Sequence, residues 1–436
     1  MVKQTIKVFL GINSLPESAQ HLILKVVGST ILLDMVWNLS TAFYVLFVID
    51  TVGIEQLGIL IAIGFLLQAV LDYPSGVLGD WIGQRWILFI GYSFEALAFS
   101  ILTFADSFLS LLGVYIIRAF AFSQQSGAIE TWLDNNYKLV ANDVDPQRKI
   151  YKFFMGRRMT IGNIVPGVAT VLGGILATVF FRRAVFYIQF IGLVIMAVLF
   201  FIIVKDYTEI QRPKRSLKSY FNLLGEGVQF VISNRVILLF IIGLCIGEAM
   251  AIIWYEMILF PVYYSYTGSD AGVGILRFII MVIGTVLTFY ASKLVVKVHI
   301  KRIPLLRFLD TVIFYWGIAL LTYLFPIEFN TFTPLAILLL IVNYSTIWFF
   351  YTLGNILAQR LFLDVVPDRN RNSIYSLIPT LLLLFTAPCA VIGASLIKNL
   401  GISITAFLLG MIGLISVVFY YSSVRLIPEE DKLVDV

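Results

Sequence analysis

Apolar residues come along this chain in long runs, and polar residues gather in the short stretches between them. A helix needs about 20 mostly apolar residues to cross ~30 Å of hydrocarbon at 1.5 Å per residue. Runs of that length lie near 28–49, 55–78, 86–105, 108–133, 154–181, 184–204, 236–264, 271–293, 304–326, 333–358, 373–397 and 402–424. The pattern predicts twelve membrane-spanning helices. The division of 154–204 rests on Arg182 and Arg183, which interrupt an otherwise apolar stretch. Residues 205–235 form the one long polar segment and separate six runs from six. Their second half, Ser219–Ser233, is amphipathic and is expected to lie along the membrane surface.

The basic residues set an orientation. Of the 31 Lys and Arg, 26, Arg307 among them, fall in alternate polar segments, in the run ends that adjoin those segments, or in the two termini. The intervening segments hold three, Arg182, Arg183 and Lys398, while Arg118 and Arg277 lie inside runs. Both termini are therefore expected on the cytoplasmic side. The expected layout is a cytoplasmic lead-in over 1–27, six helices over 28–204, a cytoplasmic linker over 205–235, six helices over 236–424, and a cytoplasmic tail over 425–436. The lead-in is not expected to be a signal peptide, because Val8–Ile12 is short and a polar stretch follows it.

Composition agrees with a lipid-facing exterior. Hydrophobic residues make up 60% of the 436 and charged residues only 13%, against about 25% charged in soluble domains. The net charge of +5 follows from the basic bias, so nucleic acid is not called for as a partner. Cys245 and Cys389 lie in apolar runs and make no disulfide framework or metal cluster. His21 and His299 sit in polar stretches, with no HExxH, GxSxG or P-loop pattern around them. No enzyme chemistry, cofactor or metal is expected.

The two halves echo each other. Gly76-Val-Leu-Gly-Asp80-Trp-Ile-Gly83-Gln-Arg85-Trp-Ile, after span 2, aligns with the loop after span 8 at Leu78 with Leu294, Arg85 with Lys301 and Ile87 with Ile303. Pro146-Gln-Arg148 after span 4 matches Pro367-Asp-Arg369 after span 10. Duplicated six-helix halves are common among secondary transporters.

The segment Asp72–Arg85 resembles the signature loop between spans 2 and 3 of the major facilitator superfamily. Gly76, Leu78, Asp80, Gly83 and Arg85 match that motif, whereas Trp81 and Gln84 replace its arginines. Arg118 through Ala128 is similar to the family's arginine-containing span 4, and Ser126 through Asp134 resembles a segment of its drug-efflux-like members. Pro166-Gly167 and Gly173-Gly174 depart from the antiporter pattern of span 5. The resemblance implies an all-α membrane protein, with twelve transmembrane helices in two pseudo-symmetric six-helix bundles around a central cavity. It assigns Asp72, Gly76, Asp80, Gly83, Arg85 and Glu130 to a gate network, with Asp80 near Asn372 and Ser373 at the start of span 11.

Ionisable and amide groups inside a span are costly in lipid and mark function. Asp34, Asn38 and Thr41 share a face of span 1. Glu95 is mid-span 3, Arg118 mid-span 4 with Gln125 below it, and Glu248 mid-span 7 near Tyr255 and Glu256. Asp34, Asn38, Glu95, Arg118, Gln125, Glu248 and Tyr255 are the candidates for substrate binding or proton coupling. No histidine lies in a span, so a carboxylate must carry any coupling; Glu248 leads, Asp34 follows, and Arg118 is the expected partner. Arg277 and Asp310 suit structural pairs or anchors. Trp37, Trp254, Trp348 and Tyr351 are candidate cavity aromatics, suited to an organic and partly apolar substrate.

The expected function is secondary active transport of small organic molecules, exported in exchange for protons by alternating access, by a monomer in the plasma membrane. Uptake or facilitated diffusion of a polar metabolite, and a non-transporting receptor or channel of the same fold, remain alternatives.

Overall fold

A computed structural model describes residues 2–205, 217–327, 332–366 and 368–427; side chains are described at all of these except 2–3, 73–77, 79–80, 217–224, 363–364 and 368–376. Among the described residues, eleven helices are long and apolar enough to cross a membrane. The last candidate, Leu377–Arg425, spans 49 residues. Gly401 breaks it, at φ 78° and ψ 170°, a conformation that excludes most side chains. It therefore makes two crossings, spans 11 and 12. The preceding spans are Glu17–Trp37, Ile54–Asp72, Gln84–Phe104, Phe108–Ala141, Lys149–Val179, Arg182–Ile203, Arg235–Thr267, Asp270–Lys297, Ile300–Leu324 and Pro334–Phe362, numbered 1 to 10 in chain order. The polar central segment carries a helix over Leu217–Ser233.

Spans 1, 4, 7 and 9 depart from continuous α-helix. Span 1 begins at Glu17 after Pro16, well before residue 28, because Leu22, Ile23, Val26 and Val27 already bury an apolar stripe. It then unwinds over 38–43 and resumes as Tyr44–Val52. Asn38 and Thr41, expected on one helix face, lie in that break instead. Span 4 bends at Ser126-Gly127, between Phe108–Gln125 and Ala128–Ala141. Span 7 runs regularly over Arg235–Ile253 and widens into a π-helical turn at Trp254–Ile258. The irregularities of spans 1 and 7 fall at corresponding depths in the two halves of the sequence.

By internal packing the chain divides into two compact units. The first holds Met1–Thr51, Val70–Leu217 and Ser269–Val282; the second holds Val52–Ala69, Lys218–Gly268 and Ile283–Val436. The beginning of span 2 thus packs with residues of the second sequence half, and the beginning of span 8 with residues of the first.

In lipid, helices gain little from hiding apolar surface from one another, so they associate through close packing of small residues. In the first unit, a Cβ on Gly173 would stand 1.6 Å from the Leu39 carbonyl oxygen, and one on Gly174 would stand 2.3 Å from that of Asp270. Span 5 therefore touches both the break in span 1 and the start of span 8 backbone to backbone. Phe186 of span 6 gathers Phe43, Phe47 and Phe99 around it at centroid distances of 4.9–6.2 Å. In the second unit Phe240 packs on Phe362 and Tyr420 at 5.1 and 4.9 Å.

Asp145 organises the turn before span 5. Its carboxylate accepts from the Tyr151 amide at 3.0 Å and the Tyr137 hydroxyl at 2.8 Å. Burial pushes its carboxyl upward, but these donors, with the amides of Ile150 and Lys149, hold it below the ordinary carboxylate range.

Candidate functional site

In the first unit the break in span 1 is flanked by charged and aromatic groups. Asp34 is half-buried. Its carbonyl accepts from the Asn38 side-chain amide at 2.9 Å, and Thr41 reaches Asn38 Oδ1 at 3.4 Å. The Trp37 carbonyl, which unwinding frees, accepts from Gln189 Nε2 at 2.8 Å. Non-helical backbone survives at membrane depth only where protein groups satisfy it in this way. The Trp37 ring lies 5.2 Å from Phe122 of span 4.

Beside it, Arg118 Nε donates to Glu95 Oε1 at 2.9 Å. The Glu95 side chain is 1% exposed and that of Arg118 16%. Rings of Tyr44, Phe122 and Phe99 surround the guanidinium at 4.9, 5.1 and 5.4 Å. Glu95 Oε2 and Gln125 Nε2 are buried without a hydrogen-bond partner in the structure. Gln125 lies against Gly91, one turn before Glu95. The structure thus makes Glu95 the partner of Arg118, where the sequence suggested a carboxylate of span 7 or span 1.

In the second unit Glu248 is half-buried on span 7 and within electrostatic reach of Arg307 and Asp310. Trp254 is buried, 5.0 Å from Phe314 and 6.2 Å from Tyr344. Tyr255 is exposed and packs on Phe260. Trp348 donates to Thr288 Oγ1 at 3.0 Å. Tyr351 lies 5.6 Å from the Arg307 guanidinium.

Arg307 corrects the sequence reading, which counted it among loop cations. It is 6% exposed and donates to Asp310 Oδ2 at 2.9 Å and Asn355 Oδ1 at 2.5 Å. Asp310, 2% exposed, sits on a second π-helical turn, Phe308–Ile313. Hydropathy missed the pair because Arg307 borders a basic loop, although its i,i+3 spacing to Asp310 was visible.

Of the gate motif, Gly83 takes φ 90° and starts span 3, and Arg85 donates to the Phe201 carbonyl with its guanidinium 3.8 Å over that ring. Exposed Glu130 pairs with Arg158 at 2.9 Å. Asp72 is half-buried in span 2. The side chains of Gly76, Asp80, Asn372 and Ser373 lie outside the described residues.

Arg182 and Arg183 open span 6 rather than sitting in a loop. Arg182 donates twice to Asp270, at 2.9 Å each, and to Asp50 at 2.6 Å. It ties the ends of spans 1, 6 and 8 on the side that is poor in basic residues. In the second unit Lys398 pairs with Glu55 at 2.5 Å. The bonds to near-buried Asp270 contribute about 1.5–3 kcal/mol each, whereas the exposed Asp50 and Lys398 pairs contribute at most about 1 kcal/mol. Arg182→Gln is therefore expected to raise maleimide labelling of a cysteine placed at Thr178 by about an order of magnitude, on a Cys245→Ala, Cys389→Ala background. An unchanged rate would mean that the triad is not what keeps this end closed.

Interrupted helices beside buried charge, on a polytopic helical scaffold, are the architecture of membrane transporters of small molecules. The sequence matches the model of the Major Facilitator Superfamily over residues 26–378, and the chain belongs to that family. It is similar in fold to the nucleoside transporter NupG (TM-score 0.74, 13% identity, covering 93% of this chain and 99% of that one). It is also similar to an auto-inhibited POT family peptide transporter (TM-score 0.70, 10% identity, 95% and 99%). A POT family transporter in complex with 5-aminolevulinic acid matches at TM-score 0.62 and 14% identity, covering 91% and 94%. No curated protein matches the chain in sequence.

Proposed function

We propose that the protein is a proton-coupled secondary transporter that exports small organic molecules by alternating access, from a plasma membrane with both termini cytoplasmic. The observation that carries the coupling is two carboxylates near irregular helix segments, buried Glu95 beside the break in span 1 and half-buried Glu248 before the π-helical turn of span 7. Broken helices near mid-membrane expose backbone groups for ligands and act as pivots. The aromatic rings around Arg118, with unpartnered Glu95 Oε2 and Gln125 Nε2, suit a substrate with a planar body and a hydrogen-bonding edge. Asp34, Asn38, Tyr255, Trp37, Trp254, Trp348 and Tyr351 complete the proposed substrate path. Asp72, Gly76, Asp80, Gly83, Arg85 and Glu130 are proposed for the cytoplasmic gate.

A second reading, uptake of a polar metabolite, is favoured by the likeness to nucleoside and peptide transporters. A melting screen of the purified protein with nucleosides, dipeptides and lipophilic cations identifies ligands, since a binder of the folded state raises the melting temperature. Flux of the strongest binder in proteoliposomes with an imposed pH gradient then separates the two. Accumulation against the proton gradient supports export; accumulation along it supports uptake. Absence of counterflow would rule out both in favour of a receptor or channel. Glu248→Gln is expected to abolish the response to the pH gradient while leaving exchange of labelled substrate largely intact. A mutant that still responds fully removes Glu248 from the coupling mechanism.

A further inference from the structure

The chain ahead of span 1 carries a structure of its own. A helix runs over Val2–Leu10 and packs on span 5. Gly11 then turns the chain at φ 69°, a left-handed backbone that favours glycine. The Phe153 ring of span 5 closes over this turn, since a Cβ on Gly11 would stand 2.6 Å from it. Leu10 and Ile12, on either side of the turn, are fully buried. Helical spacing puts Ile6, Phe9 and Leu10 on one face, with Lys7 at its border. Leu10 turns into the protein, but Ile6, Val8 and Phe9 stay 40, 60 and 41% exposed. Apolar side chains left open beside a membrane-spanning helix are at home against acyl chains, as in helices that lie in the membrane interface.

Span 5 supplies the charge. Lys149, Phe153 and Arg157 recur every four residues and so line one face of its first turns, with Lys152 beside them. All four are exposed. The Arg157 guanidinium lies between the rings of Phe9 and Phe153, 5.1 Å from each, which fixes it by ring-face attraction. Its neighbour Arg158 is paired with Glu130 at 2.9 Å. Among the described residues, by contrast, no carboxylate pairs with Lys7, Lys149, Lys152 or Arg157. Two rings therefore hold a planar cation that has no anion, at the end of the first unit where basic residues gather.

We propose that helix 2–10 and this face of span 5 bind an anionic phospholipid. Ile6, Phe9 and Phe153 rest against its acyl chains, and Arg157, with Lys7, Lys149 and Lys152 around it, takes the headgroup phosphate. A guanidinium fork matches phosphate oxygens. A zwitterionic lipid brings its own ammonium to the phosphate, so a surplus of protein cations selects a lipid of net negative charge. A second copy of the chain would bring the same positive face to the contact and be repelled. The inference is independent of what the protein transports.

Lipid competition at a reporter on the helix tests it. The full-length protein, on a Cys245→Ala, Cys389→Ala background, carries bimane at Ile6→Cys in nanodiscs of phosphatidylcholine with brominated acyl chains, which quench the fluorophore on contact. Unbrominated phosphatidylglycerol or unbrominated phosphatidylcholine then replaces the brominated lipid stepwise. Each basic residue near an anionic surface strengthens association about fivefold, so phosphatidylglycerol is expected to relieve quenching at about a tenth of the mole fraction that phosphatidylcholine requires. Arg157→Gln and Lys7→Gln should each reduce that preference about fivefold while quenching itself persists. Lys398→Gln, at the other end of the spans, should retain it. Absence of quenching at the start would mean that water or a second copy covers this face, and overturns the proposal. Equal relief by the two lipids overturns the headgroup recognition. A preference unchanged in both Arg157→Gln and Lys7→Gln, or lost equally in Lys398→Gln, would assign it to the charge of the whole protein and sink the site. Arg157 is exposed and Lys7 lies outside the spans, so the two variants do not depend on each other to fold.

Discussion

Replacing Arg118 by methionine is expected to lower the stability of the purified protein by about 3–5 kcal/mol, the usual cost of stranding one member of a buried ion pair. Glu95 is fully buried and Arg118 Nε lies 2.9 Å from its carboxylate. Methionine fills much of the arginine stem but supplies no donor. The sign reverses when the partner is neutralised too: Arg118→Met with Glu95→Gln should recover most of the loss, because no charge is left uncompensated. Thermal melts of the two single variants and the double variant form a cycle that isolates the pair. Purely additive losses would show that the arginine acts through its packing against Tyr44, Phe99 and Phe122. Transport of an identified substrate should stay impaired in the double variant if the pair also serves the substrate path.

Gly173→Ala is expected to be the most damaging single-methyl addition in the first unit. The new Cβ would overlap the Leu39 carbonyl, a backbone atom in the break of span 1. A side chain could rotate away, whereas this segment is held by bonds from Gln189 to Trp37 and from Asn38 to Asp34. Span 5 must therefore move, or span 1 must change its break. Gly162→Ala, on the same helix with nothing within 4 Å of the added carbon, is the control; it should be neutral or gain up to about 1 kcal/mol from helix propensity. Equal melting temperatures for the two variants would mean that span 5 does not rest on the break.

Much of the architecture was legible in the order of residues. Hydropathy found the apolar helices seen among the described residues, including the division at Arg182 though not the early start of span 1, because lipid accepts only long apolar helices whose backbone groups are satisfied internally. The family was legible in Asp72–Arg85 and Arg118–Ala128, where short polar motifs punctuate apolar runs. Counting residues along the runs placed Glu95, Arg118 and Glu248 inside helices, where the structure has them.

Which charges meet was decided by tertiary structure alone. Arg118 lies 23 residues from Glu95, and helical periodicity says which face a side chain occupies but not which helix faces it. Arg307 looked like a loop cation because it follows Lys301 and Arg302; only the packing of spans 9, 10 and 12 removes it from water. The break in span 1 carries no proline or glycine at residues 38–43, so local propensity gave no warning there; in span 7 Pro261, which cannot donate to the Met257 carbonyl, is a local sign of the π-helical turn at 254–258. Neighbouring side chains such as Gln189 stabilise the break in span 1 by capturing the carbonyl that unwinding frees. Composition and periodicity therefore determined that the chain crosses the membrane and where, while the pairing of its few buried charges depended on contacts between helices far apart in sequence.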